Sequence, residues 1–398
     1  MKILFITPRL PYPPHRGDKL RVFNQISYLA SRHELHVLSL SDHPKDTEYA
    51  VELRKVCASV QLVEIHRFQK YLNVLRGVFT STPFQVMLFQ SRLFEQQLQQ
   101  KIQQLQPDVL HIHLVRMAPY VVHLSIPKVV DATDSMSMYL ERRLRLTTNV
   151  VMKLILLFEW KRMLRYEAIL EQFDASLLCS DVDRRYLLQI APKARFELIR
   201  NMIDLNHLQF VPFQPESQTI IFTGNMTYAP NVDGLLYFYR EIFPLVRQRY
   251  PQARLYVVGQ SPPPAIQRLA NDQQVVVTGF VPDLRDYYRR AQVAICPMRF
   301  GSGTPFKLTE PMALGVPVVS TTVAASGLDV EHEHNILLGD SREQFAEQIM
   351  RLFEDRELHM RIAQNARQLM EQAYDRDTIC AQLEKVYTSI SQAVHTQG

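Results

Sequence analysis

Short strand-like runs alternate with helical patterns along this chain, and they do so twice. A run such as residues 3–7, apolar at nearly every position, suits a strand buried on both faces, as in a parallel sheet covered by helices. In the first half strands are expected at 3–7, 34–39, 60–65, 108–113, 128–131, 175–179 and 195–199. Helical spacing fills 20–31, 94–105, 141–171 and 181–189 between them. Residues 201–215 carry two prolines and little periodicity and read as a linker. A second alternation follows, with strands at 219–223, 254–258, 274–278, 294–296, 318–321 and 336–338. Its helices fall at 232–246, 283–291, 307–314, 342–354 and 357–371. The expected fold is α/β, with two Rossmann-like parallel-sheet domains, 1–200 and 216–374, joined by the linker 201–215. A terminal helical segment within 375–398 is expected to cross back to the first domain.

Composition adds bounds rather than identity. With 398 residues the chain can bury two full cores. A formal charge of +5 is mild for that length and gives no reason to expect nucleic acid as a partner. Cys57, Cys179, Cys296 and Cys380 are far apart, lack metal-site spacing and read as reduced thiols of a cytoplasmic protein. The start KILFIT, followed at once by PRLPYPP, reads as a first strand and not as a secretory signal. The longest apolar runs fall short of a membrane span, and VVMKLILLF already contains Lys153.

The chemistry concentrates in residues 294–328, AICPMRFGSGTPFKLTEPMALGVPVVSTTVAASGL. A buried strand is followed by the small-residue loop Gly301-Ser302-Gly303-Thr304, a short helix over 307–314, the stop signals Gly315 and Pro317, and a further strand. A glycine loop feeding a helix start offers backbone N–H groups and the positive end of the helix dipole to an anion. Lys307 adds a cation, and Glu310 lies on the same helix face. A carboxylate only accepts hydrogen bonds, which suits it to sugar hydroxyls. The reading is a nucleotide site, with phosphates on the loop and a ribose on Glu310; the bland alternative is a carboxylate that stabilises its own helix. Pro311 requires that this helix begin close before it.

In order along the chain stand PRLPYPPHRGDKLR, PDVLHIH, IRNMID, FTGNMTYAPNVDGL, LYVVGQSP, VTGFVPDLRDYY and GSGTPFKLTEPMALGVPVVSTTVAASGL. Together they resemble the retaining glycosyltransferase family 4, glycosyl transferases group 1, which have the GT-B fold of two Rossmann-like domains facing across a cleft. The resemblance implies transfer of a sugar from a nucleotide-diphosphate sugar, UDP- or GDP-linked, to a hydroxyl acceptor with retained configuration and without a metal or other cofactor. It implies a donor site on the second domain. Glu310 matches the glutamate that grips the ribose, and the earlier acid that relatives carry falls at Ser302. Gly224 and Asn225 match the start of the phosphate-binding segment, with Asn225 in the place of an arginine, so that Lys307 becomes the main cation. Gly279, Phe280 and Val281 match the loop that meets the base. On the first domain, His113 matches a histidine near the donor sugar, with His111 as its structural neighbour. Gly17 matches a backbone position close to the phosphates. Asp18 could receive an acceptor proton or cap its helix.

Other signals point elsewhere and carry less. Asp181-Val182-Asp183 has the spacing of a metal-binding acid pair, but its place after a strand makes Asp181 an expected helix cap. His332-Glu333-His334 has no further ligands nearby, and no Gly-x-Gly-x-x-Gly follows the first strand. Residues 142–165 hold seven Lys or Arg and one acid, Glu159, among leucines, Phe158 and Trp160. That segment is either a solvated helix face or an interfacial helix for anionic membrane. The sequence thus leads to a cytoplasmic glycosyltransferase of polysaccharide biosynthesis, peripheral on the inner face of the membrane, with a glycan or lipid-linked acceptor. Two alternatives stand beside it, a nucleotide-sugar 2-epimerase on the same fold and a nucleotide-sugar-binding protein without transfer activity.

Overall fold

The apolar run at the start of the chain becomes β1 (Lys2–Thr7), buried from Ile3 onward. The computed structural model of the protein describes residues 1–210 and 216–395. The chain divides into two units, Met1–Arg200 together with the segment from Arg376 onward, and Asn201–Asp375.

In the first unit the described strands are β1, β2 (Glu34–Ser41), β3 (Ser59–Glu64), β4 (Val109–His113), β5 (Lys128–Thr133), β6 (Ala175–Leu178) and β7 (Phe196–Leu198). They form one parallel sheet in the order β3-β2-β1-β4-β5-β6-β7. The chain adds strands on one side of β1 and then on the other, so β1 and β4 are neighbours at the point where the order reverses. In open α/β sheets the crevice at the carboxyl ends of such a strand pair is where ligands bind. The helix Gly17–Leu29 follows β1, and His113 ends β4, so both lie at that edge. The terminal helix Arg376–His395 packs on Gly17–Leu29. Its Tyr387 hydroxyl shares a 2.6 Å hydrogen bond with His111 Nδ1, and its Glu384 lies 2.8 Å from His33 Nε2.

The second unit repeats the plan with β8 (Thr219–Thr223), β9 (Arg254–Val258), β10 (Val275–Gly279), β11 (Val293–Cys296), β12 (Val318–Ser320) and β13 (Leu337–Leu338). Their order is β10-β9-β8-β11-β12-β13, again parallel, with the reversal between β8 and β11. Gly224 follows β8 and the Gly301–Thr304 loop follows β11, so both motifs sit at the reversal. Two Rossmann-like units, each built on one parallel sheet, match the expected GT-B fold class. Residues 201–210 belong to this unit: Asn201 Nδ2 donates to Thr304 O (2.8 Å) and Ile203 N to Tyr374 O (2.9 Å). The rest of the linker expectation, 211–215, lies outside the described residues.

Several elements differ from the sequence expectation for identifiable reasons. The single helix expected over 141–171 is two helices, Met136–Leu146 and Val150–Tyr166, followed by a 3-10 stretch, Glu167–Gln172. The break falls at Asn149, whose side chain accepts from Met152 N (3.0 Å) and so starts a new helix. The helix expected at 232–246 is Ala229–Tyr237, a π-helical stretch Phe238–Ile242, and Phe243–Arg249. Pro244 has no N–H to give to the preceding turn, and the backbone shifts register there. Asp181 is not a cap. Ser180 holds that place, its Oγ accepting from Asp183 N (3.3 Å), while Asp181 pairs with Arg184 (2.8 Å) and Arg185 (2.7 Å).

Candidate nucleotide site at the edge of the second sheet

The helix Phe306–Leu314 carries Lys307 and Glu310 one turn apart, and every residue from Lys307 to Leu314 except Glu310 is buried. The Lys307 ammonium, itself buried, donates to Oδ1 of Asn231 and stands 4.4 Å from the centre of the Phe222 ring. Burial lowers its pKa to about 8, against the pull of Cys296 and Glu310. Asn231 is fixed in turn, its Nδ2 donating to Asn225 O (2.8 Å). The Asn225 side chain accepts from Thr227 N (2.9 Å) and Thr227 Oγ1 (2.8 Å). Asn225, Asn231 and Lys307 therefore form one hydrogen-bonded group, with Glu310 one helical turn from Lys307.

Gly224 lies against that group, and no other residue fits there. Its φ is +153°, and a Cβ would stand 2.7 Å from Asn231 Nδ2 and 2.9 Å from Lys307 Nζ. Gly259, after β9, is still more constrained: a Cβ there would fall 1.8 Å from Gly224 O. Gly259 N also donates to Gly279 O (3.0 Å). The backbone thus runs Gly224 to Gly259 to Gly279 across the strand ends, bringing the Gly279-Phe280-Val281 loop to the same edge. Phe280 is exposed and Val281 packs on the apolar cluster beneath.

Glu310 is partly exposed. Burial raises its carboxyl to about 7, opposed by the Tyr288 hydroxyl and by Lys307. Tyr288 Oη lies 3.5 Å from Glu310 Oε2 and 2.7 Å from Thr223 Oγ1, at the end of β8. The loop Gly301, Ser302, Gly303 and Thr304 leads into the helix through Pro305, the residue at its N-cap. Thr304 Oγ1 donates to Gly327 O (3.4 Å). Pro311 is the sixth residue of the helix and not near its start, as the sequence requires. The bond its N–H would have made to Lys307 O is absent, and the proline itself is buried. Asn231, Tyr288 and Gly259 were missed as site residues, because their roles arise from contacts between distant segments.

In the first unit, His113 is buried at the end of β4, beside Asp131 in register on β5. Among the described residues neither ring nitrogen has a hydrogen-bond partner. Burial lowers its pKa to about 4, with Asp131 and Asp18 pulling upward, so the ring is neutral near pH 7. His111 stacks on Phe5 (4.4 Å between ring centres) and is tied to Tyr387, a core position. Gly17 is the first residue of its helix and Arg16 holds the N-cap, so Asp18 is not the cap. Asp18 pairs with Arg16 (3.1 Å) and Arg9 (3.4 Å). Burial pushes its carboxyl up, and the charges of Arg16 and Arg9 outweigh this and hold it below the usual carboxylate range. The strongest buried pair was not anticipated. Arg21 Nε donates to Asp131 Oδ2 (2.8 Å), to which Gln25 Nε2 also donates (2.8 Å). Among the described residues no group of three or more His, Cys, Asp or Glu is placed to hold a metal ion, the 332–334 trio included.

These features define a class, a two-unit GT-B protein with a cation and a carboxylate at the switch point of its second sheet. Residues 217–355 match the family model of the glycosyl transferases group 1. That match falls within the second unit and covers most of it. A Klebsiella pneumoniae protein described as an uncharacterized 44.6 kDa protein in cps region is 20% identical over 412 residues, covering 98% of each chain. Among solved structures, sucrose-phosphate synthase from Thermosynechococcus elongatus superposes with a TM-score of 0.72 at 15% identity, over 99% of this chain and 100% of that one. Anabaena HepE, in complex with UDP and glucose, gives 0.70 at 16% identity, over 98% and 100%.

Proposed function

We propose that the protein transfers a glycosyl unit from a nucleotide-diphosphate sugar to a hydroxyl acceptor, with retained configuration. The observation that carries this reading is the pairing of Lys307 and Glu310, one turn apart on a buried helix at the switch point of the second sheet. Lys307, already held by Asn231, faces the space that only a glycine at 224 leaves open. In this reading the diphosphate takes the Lys307 charge together with the start of the Phe306–Leu314 helix and the Gly301–Thr304 loop, with no metal ion required. Glu310, ionised, accepts from the ribose hydroxyls. The Gly279-Phe280-Val281 backbone meets the base, and Gly224 and Asn225 border the phosphates. His113, neutral, orients the donor sugar, with Gly17 close to the phosphates and Asp18 on the acceptor side. Catalysis then rests on positioning and on charge stabilisation of the leaving diphosphate.

The donor is UDP- or GDP-linked in this reading, and the acceptor is a glycan or a lipid-linked sugar of polysaccharide biosynthesis. HepE was solved with UDP and glucose, and a relative is described from a cps region, both in keeping with it. The protein is then cytoplasmic, touching the inner face of the membrane through residues 142–165. A product assay with labelled UDP- and GDP-sugars tests the reading. Labelled acceptor is the expected outcome. Epimerised donor without acceptor would give the 2-epimerase, which the family match does not favour, and tight binding without turnover would give the binding protein.

A further inference from the structure

Among the large exposed apolar side chains of the described residues, two groups are dense while the others are scattered. On the helix Arg67–Gly77 they are Phe68, Tyr71 and Leu75, followed by Val78 and Phe79. On the helix Val150–Tyr166 they are Val151, Leu154, Ile155 and Phe158, with Val150 at its start. Both sets recur at three- and four-residue intervals, the spacing of one helix face. Such stripes ordinarily face a core, yet here Phe68 is 72%, Phe79 91% and Val150 71% exposed. Exposed apolar patches of this extent mark interaction sites.

The segment that follows the first stripe is tied to the helix that carries the second. Arg162, one turn beyond Phe158, donates to the carbonyls of Val78 (3.2 Å) and Thr82 (3.2 Å) and also to that of Thr80. Its guanidinium lies 4.0 Å from the Phe158 ring centre and 4.8 Å from that of Phe84. Glu159 accepts from Phe84 N (3.0 Å) and Gln85 N (3.1 Å). These two ionic side chains are buried, so they bind the 78–85 segment to the helix and are not part of a charged outer face.

The charge within the two segments is positive, although Lys70 is paired with Asp42 and Arg145 with Glu141. Residues 65–94 contain Arg67, Lys70, Arg76 and Arg92, and residues 142–158 contain Arg142, Arg143, Arg145 and Lys153; neither segment contains an Asp or Glu. Leaving aside Lys70 and Arg145, which are paired with Asp42 and Glu141, the other six cations still exceed the formal +5 of the whole chain. A second copy meeting this face on itself would set cation against cation. An anionic bilayer offers what the face lacks, negative headgroups above apolar chains. No helix of the described residues is long and apolar enough to cross a membrane, so the helices would lie in the interface.

We infer that the Arg67–Gly77 helix, with Phe79, and the first half of the Val150–Tyr166 helix form one surface that docks on anionic lipid. It deepens the membrane contact proposed above by adding a second helix and the Phe79 wedge. It rests on the sugar-transfer reading only for its purpose, since vesicle binding needs no donor.

The test is co-sedimentation of the purified full chain with phosphatidylglycerol vesicles and with phosphatidylcholine vesicles, at low and high salt. The triple variant Phe79→Ser, Val151→Ser, Leu154→Ser removes the apolar stripes at exposed positions, and Arg67→Gln, Arg76→Gln, Lys153→Gln removes charge. Circular dichroism checks that both fold. The inference predicts binding to phosphatidylglycerol at least about tenfold tighter than to phosphatidylcholine, weakened by salt and by each triple variant. Absence of binding to phosphatidylglycerol at low salt, or binding that neither variant changes, overturns it. So does a self-association lost in the apolar variant without vesicle binding, which would assign the face to a second copy. Sugar transfer to a soluble acceptor is read separately, so loss of one result leaves the other standing.

Discussion

The ammonium of Lys307 donates to the side-chain oxygen of Asn231, and the same amide donates to the Asn225 carbonyl (2.8 Å). A buried lysine without an ion pair is costly, and this amide gives it one acceptor while leaving its charge unbalanced. A diphosphate would supply the missing anion. Asn231→Ala removes the acceptor and leaves Asn225 O without its donor, so it costs about 1–2 kcal/mol of stability. Affinity for a nucleoside diphosphate falls about tenfold, an energy of about 1.4 kcal/mol. Chemical denaturation and calorimetry measure the two effects on the same preparation.

Binding of a diphosphate changes the protonation of Lys307. Its pKa is lowered to about 8 in the free protein, by burial first. A nearby anion favours the charged form and raises that value. At pH 8.5 part of the lysine is neutral before binding and charged after it, so binding takes up a proton. Titration calorimetry in buffers of different ionisation enthalpy reads the uptake, and Lys307→Met abolishes it. At this pH Glu310, at about 7, is already ionised and contributes little to the difference.

Glu310 carries the opposite compromise. Its carboxyl is raised to about 7, above its unfolded value of 4.5. Between those values the folded protein binds more protons than the unfolded chain, so stability falls as pH rises through the window and the full cost is present above it. Glu310→Gln therefore stabilises the protein at pH 8, by up to about 3 kcal/mol, and changes little below pH ~4. The same substitution weakens nucleotide binding at pH 8 by removing the acceptor for the ribose. Melting curves at pH 4, 6 and 8 check the sign.

Asp131 and Arg21 are both fully buried and 2.8 Å apart. Burial opposes the Asp131 charge, but Arg21 holds the carboxyl well below its usual range. Asp131→Asn leaves a buried guanidinium uncompensated and costs about 3–5 kcal/mol. A lowered carboxyl contributes stability above the unfolded carboxylate value of ~3.9 and loses it as pH falls toward the folded value. The gap between wild type and Asp131→Asn is thus constant from pH 5 to 8 and narrows in acid. Urea unfolding across that range measures it.

The sheets were legible in the sequence because strands buried on both faces leave nothing polar to blur the runs, as at Ile220 to Phe222. Helices were legible where apolar residues face a core. The Arg67–Gly77 helix was not, because its apolar stripe faces outward and its polar residues carry no cap signal. The fused helix at 141–171 hid its break in Thr147-Thr148-Asn149, which becomes a boundary only through the Asn149 cap. At the candidate site, Lys307, Glu310 and Gly224 carried local signals of charge, spacing and glycine. Asn231 and Tyr288 did not, since an amide 76 residues from its lysine gains meaning only when β8 and β11 lie side by side.

The central claim is that a nucleoside diphosphate binds at the edge of the second sheet through Lys307 and Glu310. Isothermal titration of UDP and GDP into the wild type, Lys307→Ala and Glu310→Ala tests it most directly. Saturable binding of one of the two nucleotides to the wild type is expected, at least about tenfold weaker in each variant with folding intact. Equal affinity in all three proteins would contradict it.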